Sequence, residues 1–367
     1  MRRLGQAFSA LALVFVFLFP MEGHAQATGP MGFRLDFETG FQAPKSSASY
    51  FQATRLLLDR QDEILDGLTF NWGGEFLWLA GENAPKPPWP DSGKPNWIPV
   101  EWDHFNGNDG VDDASLRFSR LSLKENVDGF QAVAGLQAFD WGSGRFDRPT
   151  NYFNPLSPLA MMRQEPMGSE AVDLSQFLFD DLSVEAAGRL LAGGAAEWVL
   201  RLPDRGIGFW VVPSFAHLMD RQGVGLEGAA TFPVFQARLE AVRWTENSDP
   251  AAFEVEMGLS TRWQDSDLCL EWLRDSTGEA LGGFSTGNPT ADYFYFSLRR
   301  ALDQNWTLAP ALVKSWNGGP FLFWPRVVLD FHRGWQFSLE GQVAFAFQEG
   351  PLAANPDRLF LALADTF

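Results

Sequence analysis

Residues 335–347 read WQFSLEGQVAFAF: Trp335, Phe337, Leu339, Gly341, Val343, Phe345 and Phe347 alternate with Gln336, Ser338, Glu340, Gln342, Ala344 and Ala346. Strand side chains point to opposite faces in turn, so this segment has one apolar face and one polar or small face. It is longer than most strands of globular proteins. The same period returns along the chain. Phe33, Leu35, Phe37 and Phe41 alternate with Arg34, Asp36, Glu38 and Gly40, and Leu68, Phe70, Trp72, Phe76 and Trp78 with Thr69, Asn71 and Glu75. Trp198, Leu200 and Leu202 oppose Glu197 and Arg201; Phe253, Val255, Met257, Leu259 and Trp263 oppose Glu254, Glu256, Ser260 and Arg262; Phe294, Phe296 and Leu298 oppose Tyr295, Ser297 and Arg299.

Weaker alternation fills the intervals at 50–60, 115–124, 129–140, 169–176, 180–188, 206–217, 222–232, 234–245, 266–275, 304–315, 320–332 and 358–367. The tally is about eighteen strands, with sixteen as the alternative count. Around Ser119-Arg120 the pattern slips by one residue, as a β-bulge would make it. Connectors alternate in length. Long ones lie near 82–114, 141–168 and 276–290; tight ones include Asn126-Val127-Asp128-Gly129, Pro203-Asp204-Arg205, Gln264-Asp265 and Leu302-Asp303-Gln304. Tight turns at one end and long loops at the other are the layout of a transmembrane barrel.

The start of the chain predicts export. Arg2 and Arg3 precede the apolar run 7–19, and small residues around Ala25 and Ala27 suit cleavage, so 1–27 reads as a signal peptide and 28–367 as one domain. The net charge is −18, which argues against nucleic-acid binding. A single cysteine, Cys269, leaves no disulfide framework and no C-x-x-C-H haem attachment.

These signs converge on an all-β fold, a transmembrane antiparallel up-and-down β-barrel with apolar residues facing lipid and polar residues facing a wet interior. Trp141, Trp244, Trp263, Trp306, Trp316 and Trp335 are predicted to form interfacial girdles. The polar phase predicts a lumen lined by Arg34, Asp36, Glu38, Glu75, Glu197, Arg201, Arg238, Glu240, Glu254, Glu256, Arg262, Glu271, Arg299, Arg326 and Glu340. Acids outnumber bases there, which predicts a mild cation preference.

The segment GLQAFDWGSGRFDRPTNYFNPLSP at 135–158 resembles a signature of porin-like Gram-negative outer-membrane barrels, a W-G-x-G run followed by Pro-Thr and Phe-Asn-Pro. Gly135, Gln137, Trp141, Gly142, Gly144, Pro149, Thr150, Phe153, Asn154 and Pro155 match it, while Leu136 and Asn151 depart from it. The final RLFLALADTF resembles the C-terminal signal such proteins present to the barrel-assembly machinery, with Phe367 last and Asp365 as a departure. The resemblance implies an outer-membrane channel for small polar solutes or ions, set among outer-membrane lipid and lipopolysaccharide, with a homotrimer among its assemblies. The alternative is a sheath or export conduit for a partner, such as a periplasmic multihaem cytochrome or a polysaccharide. The segment 141–168 is a candidate constriction loop carrying Trp141, Arg145, Asp147, Arg148, Asn151 and Asn154.

Other motifs carry less. Gly223-Val224-Gly225-Leu226-Glu227-Gly228 matches a dinucleotide fingerprint, but a strand, turn and strand follow it, so close packing inside a barrel is the better reading. Gly283-Phe284-Ser285-Thr286-Gly287 lacks the strand and helix of a nucleophile elbow. The acidic stretch 103–115 does not fit an EF-hand and reads as a solvated loop. Neither an enzyme, nor a cofactor, nor a metal is expected.

Overall fold

The structure is a computed structural model describing residues 31–42, 49–80, 101–103, 112–153, 168–246, 252–276, 291–316, 321–330, 336–345 and 358–366, apart from 180, 192–193, 205, 207 and 220. Among these residues no helix is long and apolar enough to cross a membrane.

The strands are β1 (Met31–Gln42), β2 (Ser49–Leu65), β3 (Leu68–Ala80), β4 (Glu101–Asp103), β5 (Asp112–Val127), β6 (Phe130–Gln137) and β7 (Ser169–Phe177). They continue with β8 (Ser183–Leu190), β9 (Ala196–Arg201), β10 (Phe209–His217), β11 (Arg221–Thr231), β12 (Gln236–Glu246), β13 (Ala252–Trp263) and β14 (Ser266–Asp275). The last are β15 (Ala291–Ala301), β16 (Trp306–Leu308), β17 (Ala311–Ser315), β18 (Phe321–Trp324), β19 (Arg326–Asp330), β20 (Gln336–Phe345) and β21 (Arg358–Thr366).

Neighbours in sequence pair antiparallel, and β1 closes on β21, with Gly32 opposite Thr366 and Gly40 opposite Arg358. Closure removes the edges that lipid does not tolerate. Three of the segments do not count as separate staves. β4 patches the edge of β5 at Ser115–Arg117, beyond the reach of β6. β16 and β17 are halves of one stave broken at Pro310, and β18 and β19 are halves of the next, broken at Pro325. Proline brings no N–H to a ladder, which accounts for both breaks. The barrel wall therefore has eighteen staves.

Local chemistry sets the turns. Asp128 and Gly129 have φ of 47° and 81°, the left-handed pair that a two-residue hairpin requires. The bulge sits where the alternation slips: Gly73 pairs with Arg120 and Gly74 with Phe118, leaving Ser119 as the extra residue.

Burial separates the two faces of the wall. On β13, Phe253 is 39% exposed while Glu254 is 8% exposed. Leu226, Leu239, Met257, Leu259, Leu270, Phe296 and Leu339 are exposed, while Glu197, Glu227, Glu240, Glu256 and Glu271 are buried inside. A water-soluble protein distributes these residue types the other way round.

Two tryptophans depart from the girdle expectation. Trp141 and Trp244 are buried inside the barrel, and their indole N–H groups donate to Glu185 at 2.7 Å and Glu254 at 3.0 Å. Both have an indole donor to satisfy, and the interior carboxylates supply acceptors that lipid lacks. Trp263, Trp306 and Trp316 are exposed. Trp335 lies outside the described residues.

Candidate functional site

β6 ends at Gln137, whose side-chain amide donates to the Ala171 carbonyl at 3.1 Å. Two residues earlier Gly135 adopts φ +124° against the Leu121 carbonyl, where no Cβ fits. Beyond Gln137 the chain does not rise into a free loop. Residues 139–153 turn inward and pack on the inner wall.

The base of this inward segment is aromatic. Phe139, Trp141, Tyr152 and Phe153 cluster with Trp244 and with Ala171, Ala187, Val199, Ala216 and Val242 of the wall. Small wall residues make room for the rings, which meet at centroid distances of 4.5 Å (Phe139–Trp141), 5.1 Å (Phe139–Phe153) and 5.7 Å (Tyr152–Trp244). The Asn151 side-chain amide donates to the Phe139 carbonyl at 3.0 Å and ties the two ends together. Gly223 lies under the Trp244 ring, and Gly225 under the Tyr152 hydroxyl. The G-x-G motif on β11 is thus a groove that admits aromatic rings. Tyr152 shares a 2.6 Å hydrogen bond with Ser214. Burial pushes its hydroxyl up to about 12, so the ring stays uncharged.

The tip is held by carboxylates. Glu240 on β12 accepts from the backbone N–H of Ser143, from that of Gly144 at 2.6 Å and from the Thr150 hydroxyl at 2.9 Å. Glu271 on β14 accepts from the backbone N–H of Arg145 at 3.1 Å and of Phe146 at 2.7 Å. Arg238 grips the same stretch from its carbonyl side, donating to Ser143 O at 2.9 Å and to Glu271 at 2.7 Å. Gly142 has φ +92°, and a Cβ there would lie 2.8 Å from Glu240 Oε2. At Gly144 a Cβ would collide with the Asp147 carbonyl and Glu256 Oε2. The W-G-x-G run is required because only bare backbone can press this closely onto the wall. Phe146 then stacks on Tyr295 at 5.2 Å and joins a buried cluster with Leu273, Tyr293, Val313 and Leu322, so the packing of the segment runs from β7 round to β18.

Most interior arginines are neutralised in pairs: Arg189 with Glu197 (2.6 Å), Arg201 with Glu185 (2.7 Å) and Glu227 (2.8 Å), and Arg326 with Glu340 (3.4 Å). Asp147, Glu240 and Glu256 have no cationic side chain in an ion pair among the described residues. Asp147 is 5% exposed and its Oδ2 has no hydrogen-bond partner. Burial, with the charges of Glu254, Glu240 and Asp275, raises its carboxyl well above the ordinary range. Among the described residues no group of three His, Cys, Asp or Glu side chains is arranged to hold a metal.

The other residues named from sequence are distributed as follows. Glu75, Glu197, Arg201, Arg238, Glu240, Glu254, Glu256 and Glu271 lie on the inward phase of their strands, buried or nearly so. Arg262 and Arg299 share that phase but are exposed at the tight-turn rim, Arg262 lying 3.8 Å from Asp267. Arg34, Asp36 and Glu38 stand on β1, and their side chains lie outside the described residues, as does Asn154. Of the loop residues, Trp141, Asp147 and Asn151 are buried, whereas Arg145 is exposed and Arg148 reaches Asp140. Residues 141–153 of the candidate constriction loop pack inside the barrel. Sequence reading missed Ser143, Phe146, Thr150 and Tyr152 as anchors, although all fall within the signature. Ser214 and Glu185 were visible only as alternating polar residues.

No protein-family model matches the chain, and no curated protein does. Solved structures match it. OccK7 (OpdD) of Pseudomonas aeruginosa is 12% identical at a TM-score of 0.61, covering 93% of this chain and 99% of that one. OccAB4 of Acinetobacter baumannii is 12% identical at 0.57, covering 94% and 100%. OccK5 (OpdH) of Pseudomonas aeruginosa is 10% identical at 0.60, covering 92% and 97%. At these identities the likeness is one of architecture: this chain has the fold of the Occ/Opd outer-membrane porin barrels.

Proposed function

We propose that the chain is an outer-membrane channel through which small polar solutes or ions diffuse, narrowed by the inward segment 139–153. One observation carries the reading: an eighteen-stave wall with apolar residues outside holds a backbone segment against its inner surface by N–H···carboxylate bonds from Glu240 and Glu271. A wall of this size encloses more space than side chains fill. Acidic residues outnumber basic ones on the inward phase of the wall, which favours cations over anions in the passage. Export by the leader 1–27, delivery to the assembly machinery through Phe367 and assembly as a trimer belong to the same reading.

Planar-bilayer recording of the purified protein tests it. Stable conductance steps are expected, larger after deletion of Ser143–Thr150, with reversal potentials under a salt gradient favouring cations. Unchanged conductance on deletion sinks the constriction. No conductance alone, with tight capture of a periplasmic cytochrome or a polysaccharide, would make the barrel a sheath.

A further inference from the structure

The outer wall carries a row of cations that the channel reading leaves unused. On β12, Val242 and Trp244 are buried inside, so Arg243 between them points outward and is exposed. On β14, Leu273 and Asp275 are buried and Arg274 points outward, its side chain 43% exposed. On β17, Val313 and Ser315 are buried and Lys314 is outward and exposed. The pairings put all three at one level. Arg243 pairs with Phe253, Arg274 with Val255 and Asp292, and Lys314 with Phe294. That level adjoins the long connectors, at the opposite end of the wall from the Gln264-Asp265 turn.

Charges on the lipid-facing surface of a barrel are costly at mid-bilayer and tolerated only near the interface. Aromatics mark that interface here: the Arg274 guanidinium lies 5.7 Å from the Phe253 ring, and Phe294 and Trp316 meet at 5.4 Å. Arg243 and Lys314 have no hydrogen-bond or ion-pair partner among the described residues. Arg274 has only Asp292, at 4.0 Å, and its Nε makes no hydrogen bond. By contrast the outward faces of β8, β9 and β11 at the same end carry Leu190, Trp198 and Gln222, with no charge. A chain of net charge −18 thus turns three cations toward lipid along one arc.

Resting on the membrane-embedded reading above, we propose that this arc binds the headgroup of a lipid bearing more than one phosphate in the leaflet on the long-loop side, the chemistry of lipopolysaccharide. Strands stand about 4.8 Å apart, so cations two staves apart are about 10 Å apart. A single phosphate bridges one such gap at most, and three cations in line suit a headgroup with separated anionic groups.

Native mass spectrometry of the full-length barrel in detergent, with bisphosphorylated lipid A, phosphatidylglycerol, phosphatidylcholine and inorganic phosphate as probes, decides the matter. Lipid A is expected to be retained in preference to the other lipids and not displaced by millimolar phosphate. The triple variant Arg243→Gln/Arg274→Gln/Lys314→Gln is expected to lose about tenfold or more of that retention while keeping wild-type conductance. The single variant Lys314→Gln, at an exposed site that leaves the fold intact, is expected to show a partial loss. Equal retention by wild type and variants, equal binding of phosphatidylglycerol or phosphatidylcholine, or displacement by free phosphate overturns the proposal. Loss of conductance in the wild type would strike the channel reading alone, because the lipid assay does not depend on current.

Discussion

The Thr150 hydroxyl and the Glu240 carboxylate, 90 residues apart in sequence, are joined by a 2.9 Å hydrogen bond inside the barrel. The same carboxylate takes the backbone N–H groups of Ser143 and Gly144. A single wall residue therefore fastens both sides of the inward segment, and its removal has consequences that can be measured.

Glu240→Ala removes the carboxylate that accepts three charge-assisted hydrogen bonds and is expected to weaken docking of the segment by roughly 3 kcal/mol. Released backbone finds water, so the barrel itself stays folded. Trypsin cleavage after Arg145 is the check (Arg148 precedes Pro149 and is not a trypsin site), with faster cleavage expected than in the wild type, together with larger single-channel steps. Wild-type protease resistance would show that the aromatic base alone holds the segment.

Cys269 offers a built-in reporter. It is buried on the inward face of β14, 3.1 Å from the Arg238 guanidinium that clasps Ser143. A water-soluble maleimide is expected to label it slowly in the wild type and about tenfold faster or more in Glu240→Ala, following the weakened docking. Equal rates would mean that the thiol is shielded by the wall instead.

Glycine variants separate close approach from general destabilisation. Gly144→Ala drives a methyl into the Asp147 carbonyl and Glu256, and should mimic Glu240→Ala in the trypsin assay. Gly188→Ala meets nothing nearer than the Glu197 carbonyl at 3.6 Å and should leave both cleavage and conductance unchanged.

Asp147 makes docking depend on pH. Its carboxyl is raised in the docked segment and returns toward the ordinary carboxylate value when the segment is released. The docked form binds the proton more tightly, so its stabilisation is fully present below the released value and is lost as pH rises through the raised one. Conductance is expected to grow with pH across that window, and Asp147→Asn is expected to flatten the dependence. A pH response unchanged in Asp147→Asn would assign it to another group.

Much of the wall was legible because lipid imposes a strict period of two. Phe253 and Glu254 fall on opposite faces by parity alone, and the slip at Ser119 announced its bulge. The inward segment was legible only as a resemblance. Trp141 and Trp244 look like girdle residues because a strand-end tryptophan reads the same whether its indole meets a headgroup or an interior carboxylate. The partners that decide the question, Glu185 and Glu254, come from other positions on the wall, and no local pattern specifies which carboxylate will receive which donor. The glycines of W-G-x-G were legible only as part of that resemblance, and the close approach they permit shows in the structure alone.

Pro310 and Pro325 have a mechanical meaning as well. Leu298 and Gly341 still donate to their carbonyls from the outer neighbours, but neither proline has an N–H with which to stitch the two staves together. Hoop stiffness is therefore reduced along that seam, and because Phe146 clusters with Val313 and Leu322 on its two sides, ovalisation there is transmitted to the tip of the clasped segment.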